Sequence, residues 1–131
     1  MLVVIKSPKL RFSDIGYIRH DDKSISLELY SAGVAVDTIS VNHLVCVSQG
    51  CMTKNSFNQE YLNTNYPDDF IQNILMRKPI FQKQGYHKTE DGFYQTIKSQ
   101  NYSIQYKVQK KNLYFKDRKN HIIFKLKDID E

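Results

Sequence analysis

The chain has 131 residues, of which 40% are hydrophobic and 25% charged, with five glycines, three prolines and two cysteines. That balance excludes disordered, collagenous and low-complexity chains. A chain of this size buries roughly two-thirds of the surface its unfolded form exposes, enough for one self-supporting core. The formal charge of +5 is uneven: residues 1–97 hold ten basic and ten acidic side chains, residues 98–131 nine and four. The whole excess therefore lies in the last quarter, where it predicts a basic face suited to an anionic partner.

No apolar run approaches the roughly 20 residues that a membrane helix needs, the longest stretches being 2–5, 33–36 and 44–47. The opening Met-Leu-Val-Val-Ile, followed by Lys6 and Pro8, is too short and wrongly ordered for a signal peptide. The expectation is a cytoplasmic chain, or one whose signal precedes this numbering.

In chain order, Ile25, Leu27 and Leu29 alternate with polar residues and predict a half-buried strand. Over residues 33–41 the apolar parity slips between Val36 and Ile39, the mark of a β-bulge or corner in a curved sheet. Period two then breaks. Ser56-Phe-Asn-Gln59 matches a capping box that opens a short helix through about Leu62. Pro67 fits the first position of a second helix, with Asp68 and Asp69 at its positive end and Arg77 and Lys78 before the stop at Pro79. Phe70, Ile71, Ile74 and Leu75 share one face of it and must cover something apolar.

Alternation returns in Tyr102-Ser-Ile104-Gln-Tyr106-Lys-Val108, in Leu113 and Phe115, and in Ile122, Phe124 and Leu126. Short turn-rich connectors such as Glu90-Asp-Gly92 and Asp117-Arg-Lys-Asn120 predict meandering hairpins. The predicted order is about four strands, two short helices and about five strands in a single domain over residues 1–131. Its class is mainly β: a strongly curved antiparallel sheet forming an unclosed barrel, covered on its open side by the two helices.

Candidate chemistry is sparse. Cys46 and Cys51 are close enough for a local disulfide if the chain turns at Gly50; in a reducing compartment they are small buried hydrophobes. His43 lies three residues before Cys46, but two cysteines without a second pair make no zinc site. No Ser-His-Asp set, HExxH or phosphate loop accompanies His20, His87 and His121, so the reading is a non-enzyme with no cofactor and no metal. Tyr94, Tyr102, Tyr106, Tyr114 and Phe115 interleave with Lys98, Lys107, Lys110, Lys111 and Lys116, a mixture that suits single-stranded nucleic acid. Alternation, however, sets the Tyr102-Ile104-Tyr106-Val108 row opposite Lys107, which assigns the aromatics to the inside with the aliphatics.

Several segments resemble the LolB outer-membrane lipoprotein receptors, of the LolA/LolB fold family. Tyr66-Pro67-Asp-Asp-Phe70-Ile-Gln-Asn-Ile74-Leu75-Met-Arg-Lys-Pro79 is similar to that family's Pro-led helix, with Lys78 standing for the glycine before Pro79. Gly92-Phe93-Tyr-Gln-Thr-Ile97 with Asn101-Tyr102-Ser-Ile104-Gln-Tyr106 resembles a characteristic strand pair, Tyr102 replacing tryptophan. Asn112-Leu113-Tyr-Phe115-Lys-Asp117 and Ile122-Ile-Phe124-Lys-Leu126-Lys127 resemble the last two strands, so the chain reads as a short, divergent member. Ser31-Ala32-Gly33-Val34 falls where the family has a Pro-Leu-Gly loop facing the membrane, and carries Ala32 in the leucine's place.

The resemblance implies an unclosed barrel that accepts lipoprotein acyl chains and transfers them to the outer membrane as a monomer. Its expected cavity lining is Leu27, Leu29, Ile39, Phe70, Ile74, Leu75, Ile104, Tyr106, Phe115 and Phe124. Ala32, Gly33 and Val34 become the membrane-facing loop, and Lys107, Lys116, Lys125 and Lys127 a basic partner face. Partners would be lipoprotein acyl chains, a LolA-like periplasmic carrier and outer-membrane lipids. A lipidated cysteine upstream of Leu2 would anchor the domain facing the periplasm, where Cys46 and Cys51 are disulfide candidates. The alternatives are a structural or partner-binding surface lipoprotein whose interior is only a core, and a nucleic-acid-binding β domain, although no nucleic acid is the expected partner.

Overall fold

The computed structural model describes residues 1–62 and 64–129. Six strands come first: β1 (Leu2–Lys6), β2 (Arg11–His20), β3 (Ile25–Ser31), β4 (Val34–Val41), β5 (Val45–Val47) and β6 (Gly50–Met52). Two helices follow, α1 (Lys54–Tyr61) and α2 (Phe70–Leu75), then a short turn of left-handed backbone at Phe81–Lys83, with φ of 50–64°. Five strands complete the chain: β7 (Tyr86–Lys88), β8 (Phe93–Lys98), β9 (Ser103–Val108), β10 (Asn112–Asp117) and β11 (Ile122–Lys127).

All eleven strands form one sheet in the order β6-β5-β4-β3-β2-β1-β11-β10-β9-β8-β7. Every ladder is antiparallel, and β6 and β7 stand as unpaired edges, so the sheet is not closed into a barrel. The mainly β class and the unclosed sheet agree with the sequence reading. The count of about four leading strands does not: β5 and β6 are only three residues each, too short for alternation to register.

Local chemistry accounts for the curvature. On β4, Leu29 pairs with Asp37 but Tyr30 with Ala35, so Val36 is the extra residue of a bulge, where the parity slip pointed. Strand β2 pairs with β1 over its first half and with β3 over its second. Gly16 sits at that crossing, where a β-carbon would come within 2.7 Å of Val3 and 3.3 Å of Leu27. Ala32 and Gly33, with φ of 51° and 82°, form the left-handed two-residue turn joining β3 to β4.

The helices differ from expectation at their starts. Thr53, not Ser56, caps α1: its hydroxyl accepts from the Ser56 amide at 3.0 Å, placing Ser56 inside the first turn. Pro67 lies in the turn before α2, its carbonyl accepting from the Phe70 amide at 3.0 Å, and Asp69 occupies the cap position. Arg77 ends α2 in a left-handed conformation (φ 57°) usually taken by glycine, and its guanidinium pairs with Asp128 at 2.8 Å.

The concave face of the sheet is apolar. Val3, Ile5, Leu27, Leu29, Ile39, Ile104, Tyr106, Leu113, Phe115, Ile122, Phe124 and Leu126 point inward and are buried, and Phe57, Phe70, Ile71, Ile74 and Leu75 meet them from the helices. Phe70 stands at the junction, its ring 5.0 Å from Phe115, 5.9 Å from Phe124 and 4.5 Å from Tyr66.

A few polar side chains pin the helical segment to the sheet. Gln95, 1% exposed, accepts from the Ile80 amide and donates to the carbonyls of Ile80 and Gln84 at 2.7–2.9 Å. The Tyr106 hydroxyl donates to the Lys78 carbonyl at 2.9 Å, and the Tyr66 hydroxyl to Asp117 at 2.5 Å. Burial raises the pKa of both phenols well above the ordinary tyrosine value of 10.0, and for Tyr66 the hydrogen bond to the Asp117 carboxylate adds to it. A pKa raised in the folded state gives stability that is complete below the unfolded value and lost as pH rises above it. Alkaline titration followed by phenolate absorbance should therefore show two of the nine tyrosines ionising only as the domain unfolds. Nine phenolates forming reversibly while the circular dichroism stays native would contradict this.

Candidate functional site

The structure places the ten expected lining residues together. Leu27, Leu29, Ile39, Phe70, Ile74, Leu75, Ile104, Tyr106, Phe115 and Phe124 all belong to the single hydrophobic core and are 0–3% exposed. They pack against one another between sheet and helices; Ile104 alone of the ten also borders a surface cleft, a small one of about 70 Å³ shared with Lys98, Ser103 and Gln105.

The β3–β4 turn carries the expected loop residues. Ala32 is at its apex beside Gly33, and Val34 is 65% exposed. Val36, absent from the sequence reading of this loop, is 52% exposed because the bulge turns it out of the ladder. Tyr17 and Tyr30, whose rings meet edge to face at 5.4 Å, lie on the neighbouring strands β2 and β3. The parity slip was the signal that could have identified Val36.

Cys46 and Cys51 face each other across the β5–β6 hairpin and are joined by a disulfide, with α-carbons 4.0 Å apart. The chain reverses at Ser48 and Gln49, and Gly50, with φ of 139°, opens β6 opposite Val47.

The convex face holds the four expected lysines, and the register decides which of them act together. One row runs His87, Tyr94, Lys107, Tyr114, Lys125, Val4, Ser13 across seven adjacent strands. His87 stacks on Tyr94 with centroids 4.8 Å apart, and the Lys125 ammonium lies 5.5 Å above the Tyr114 ring. Lys107 and Lys125 thus flank Tyr114. Lys127 sits in the row beyond them, opposite Asn112 and Leu2, and Lys116 in the row on the other side, opposite Gln105 and Ile123. Assigning the aromatics to the interior holds for Tyr106 and Phe115 but fails for Tyr94, which is 40% exposed, and for Tyr114. Both occupy outward positions of their strands, Tyr94 between the buried Phe93 and Gln95 and Tyr114 between the buried Leu113 and Phe115.

A concentration of cations missed by sequence reasoning lies at the end of the sheet where the β1–β2 and β10–β11 loops meet. There a cleft of about 450 Å³ is lined by Lys6, Arg11, Lys116, Arg118 and His121. A smaller adjoining one, of about 70 Å³, shares Lys116 and Arg118 and adds Lys98. The members come from distant stretches of chain and meet only because β1 pairs with β11.

No described protein family, curated protein or solved structure matches the chain.

Proposed function

We propose that this domain is an outer-membrane lipoprotein-sorting receptor, which takes up lipoprotein acyl chains between sheet and helices and passes them to the membrane. The observation that carries the reading is the cover of the concave face. An apolar surface spanning most of an unclosed sheet is capped by helices of eight and six residues and by Leu62, Tyr66, Ile80 and Phe81 beside them, held by a handful of hydrogen bonds. Lifting so small a cover exposes a large apolar surface, and each acyl methylene buried there is worth about 0.8 kcal/mol. Transfer then needs no covalent chemistry and no cofactor.

The remaining features support the same reading. The Cys46–Cys51 bridge suits an oxidising compartment such as the periplasm. Val34 and Val36 present apolar side chains at the β3–β4 turn, the position of the membrane-facing loop in the LolB family, where Ala32 replaces the leucine. Lys107, Lys116, Lys125 and Lys127 offer a basic surface to an acidic LolA-like carrier or to anionic headgroups. A lipid anchor upstream of Leu2 completes the proposal.

A fluorescent fatty-acid analogue added to the purified domain should bind saturably, and depletion of the protein should leave lipoproteins stranded short of the outer membrane. One observation favours a second reading: with the ten lining residues at 0–3% exposure, the interior is a core, and the domain serves as a partner-binding surface lipoprotein. Absence of probe binding together with normal sorting would decide for that alternative.

A further inference from the structure

The cationic cleft at the end of the sheet is independent of acyl uptake. Lys6 on β1 stands directly opposite Arg11 on β2, both pointing outward, and Lys116 is separated from Lys6 by Ile123 alone in the same row. Like charges opposed across a ladder are destabilising unless a counter-charge compensates them. Among the described residues none does: the ion pairs are Arg19–Glu28 and Arg77–Asp128, and the side chains of Lys6, Arg11, Lys116 and Arg118 make no hydrogen bond.

The acid in the lining, Asp117, is turned inward and 1% exposed. One of its oxygens accepts from the amides of Ser103, Lys119 and Asn120, the other from the Tyr66 hydroxyl and the Asn120 side-chain amide. Four cations thus face a concavity whose only carboxylate is already engaged. Both loops that shape it are fixed from beneath. Asp117 holds the β10–β11 turn. Ser7, 2% exposed, holds the β1–β2 turn by accepting from the Leu10 amide at 2.9 Å and donating to the Tyr61 carbonyl.

We propose that this cleft binds a phosphate group, with Lys6, Arg11, Lys116 and Arg118 as its ligands. Arginine forks and lysine point charges held on rigid turns suit tetrahedral oxyanions, and the anion relieves the repulsion between Lys6 and Arg11. The phosphate can belong to a lipid headgroup or to a soluble phosphate compound.

The test uses the whole domain and two probes. Inorganic phosphate is titrated while amide NMR shifts are followed, and binding is measured to phosphatidylcholine vesicles with and without phosphatidylglycerol. The Lys6→Gln/Arg11→Gln variant is compared with Lys23→Gln/Lys88→Gln, which removes the same charge from exposed positions away from both the cleft and the basic strand face. Phosphate-dependent shifts confined to residues around 6–11 and 116–121, lost in the cleft variant alone, support the site with soluble phosphate as sufficient ligand. No response to phosphate, but an affinity for phosphatidylglycerol vesicles that falls about 30-fold in the cleft variant and much less in the control, supports a headgroup. Neither response, or equal losses in both variants, overturns the proposal. Acyl uptake can fail while the cleft still binds, because the fatty-acid probe and the phosphate probe are read separately.

Discussion

Replacing Asp117 by alanine is expected to cost about 3 kcal/mol and to lower the midpoint of thermal unfolding by about 10 °C. The size follows from what the carboxylate does. It serves the Ser103, Lys119 and Asn120 amides, the Asn120 side chain and the Tyr66 hydroxyl, thereby joining the β8–β9 turn, the β10–β11 turn and the segment before α2. The amides near the surface can turn to water when the carboxylate is gone, but the buried Tyr66 hydroxyl cannot, and an unsatisfied buried donor costs about 1–3 kcal/mol by itself. Tyr66→Phe, which removes only that donor, should cost about 1 kcal/mol. Thermal or urea unfolding measures both. A loss below that of Tyr66→Phe in the alanine variant would show that the network does not hold these turns.

Phe70→Ala is expected to be costlier, about 4 kcal/mol, because the ring is fully buried and the groups around it cannot collapse easily. Its neighbours Phe115 and Phe124 are fixed on paired strands, and Tyr66 is held by Asp117. The deletion leaves an apolar void directly beneath α2, and such voids stay dry and bind small apolar molecules. This variant also separates the two functional readings. If the interior accepts acyl chains, the unmodified domain binds the fatty-acid analogue already and the variant at least as well. If the interior is only a core, binding first appears in the variant. The measurement is probe titration below the unfolding transition, with circular dichroism confirming that the variant is folded.

Much of the fold was legible in the sequence because period-two alternation maps directly onto a sheet with one buried face. The inward sets on β3, β9, β10 and β11 match that pattern, and even the bulge at Val36 was visible as a break in parity. Helix starts were less legible. Thr53 and Ser56 are both competent caps three residues apart, and only the path of the chain out of β6 selects the first. The candidate site divides in the same way. Its apolar members follow from periodicity, whereas the cleft formed by Lys6, Arg11, Lys116 and Arg118 depends on a pairing between the first strand and the last, which no local pattern encodes.

That pairing also orders the assembly of the molecule. Nine of the ten ladders join strands consecutive in the chain, so each half of the sheet can grow hairpin by hairpin as its residues become available. The tenth, which sets Leu2 against Lys127, waits for the final strand. Ladders of such sequence separation carry the largest loop-closure entropy and form late. Until β11 docks on β1, the β1–β6 and β7–β11 meanders each carry only part of the apolar face, so the single core is complete only when the first and last strands meet.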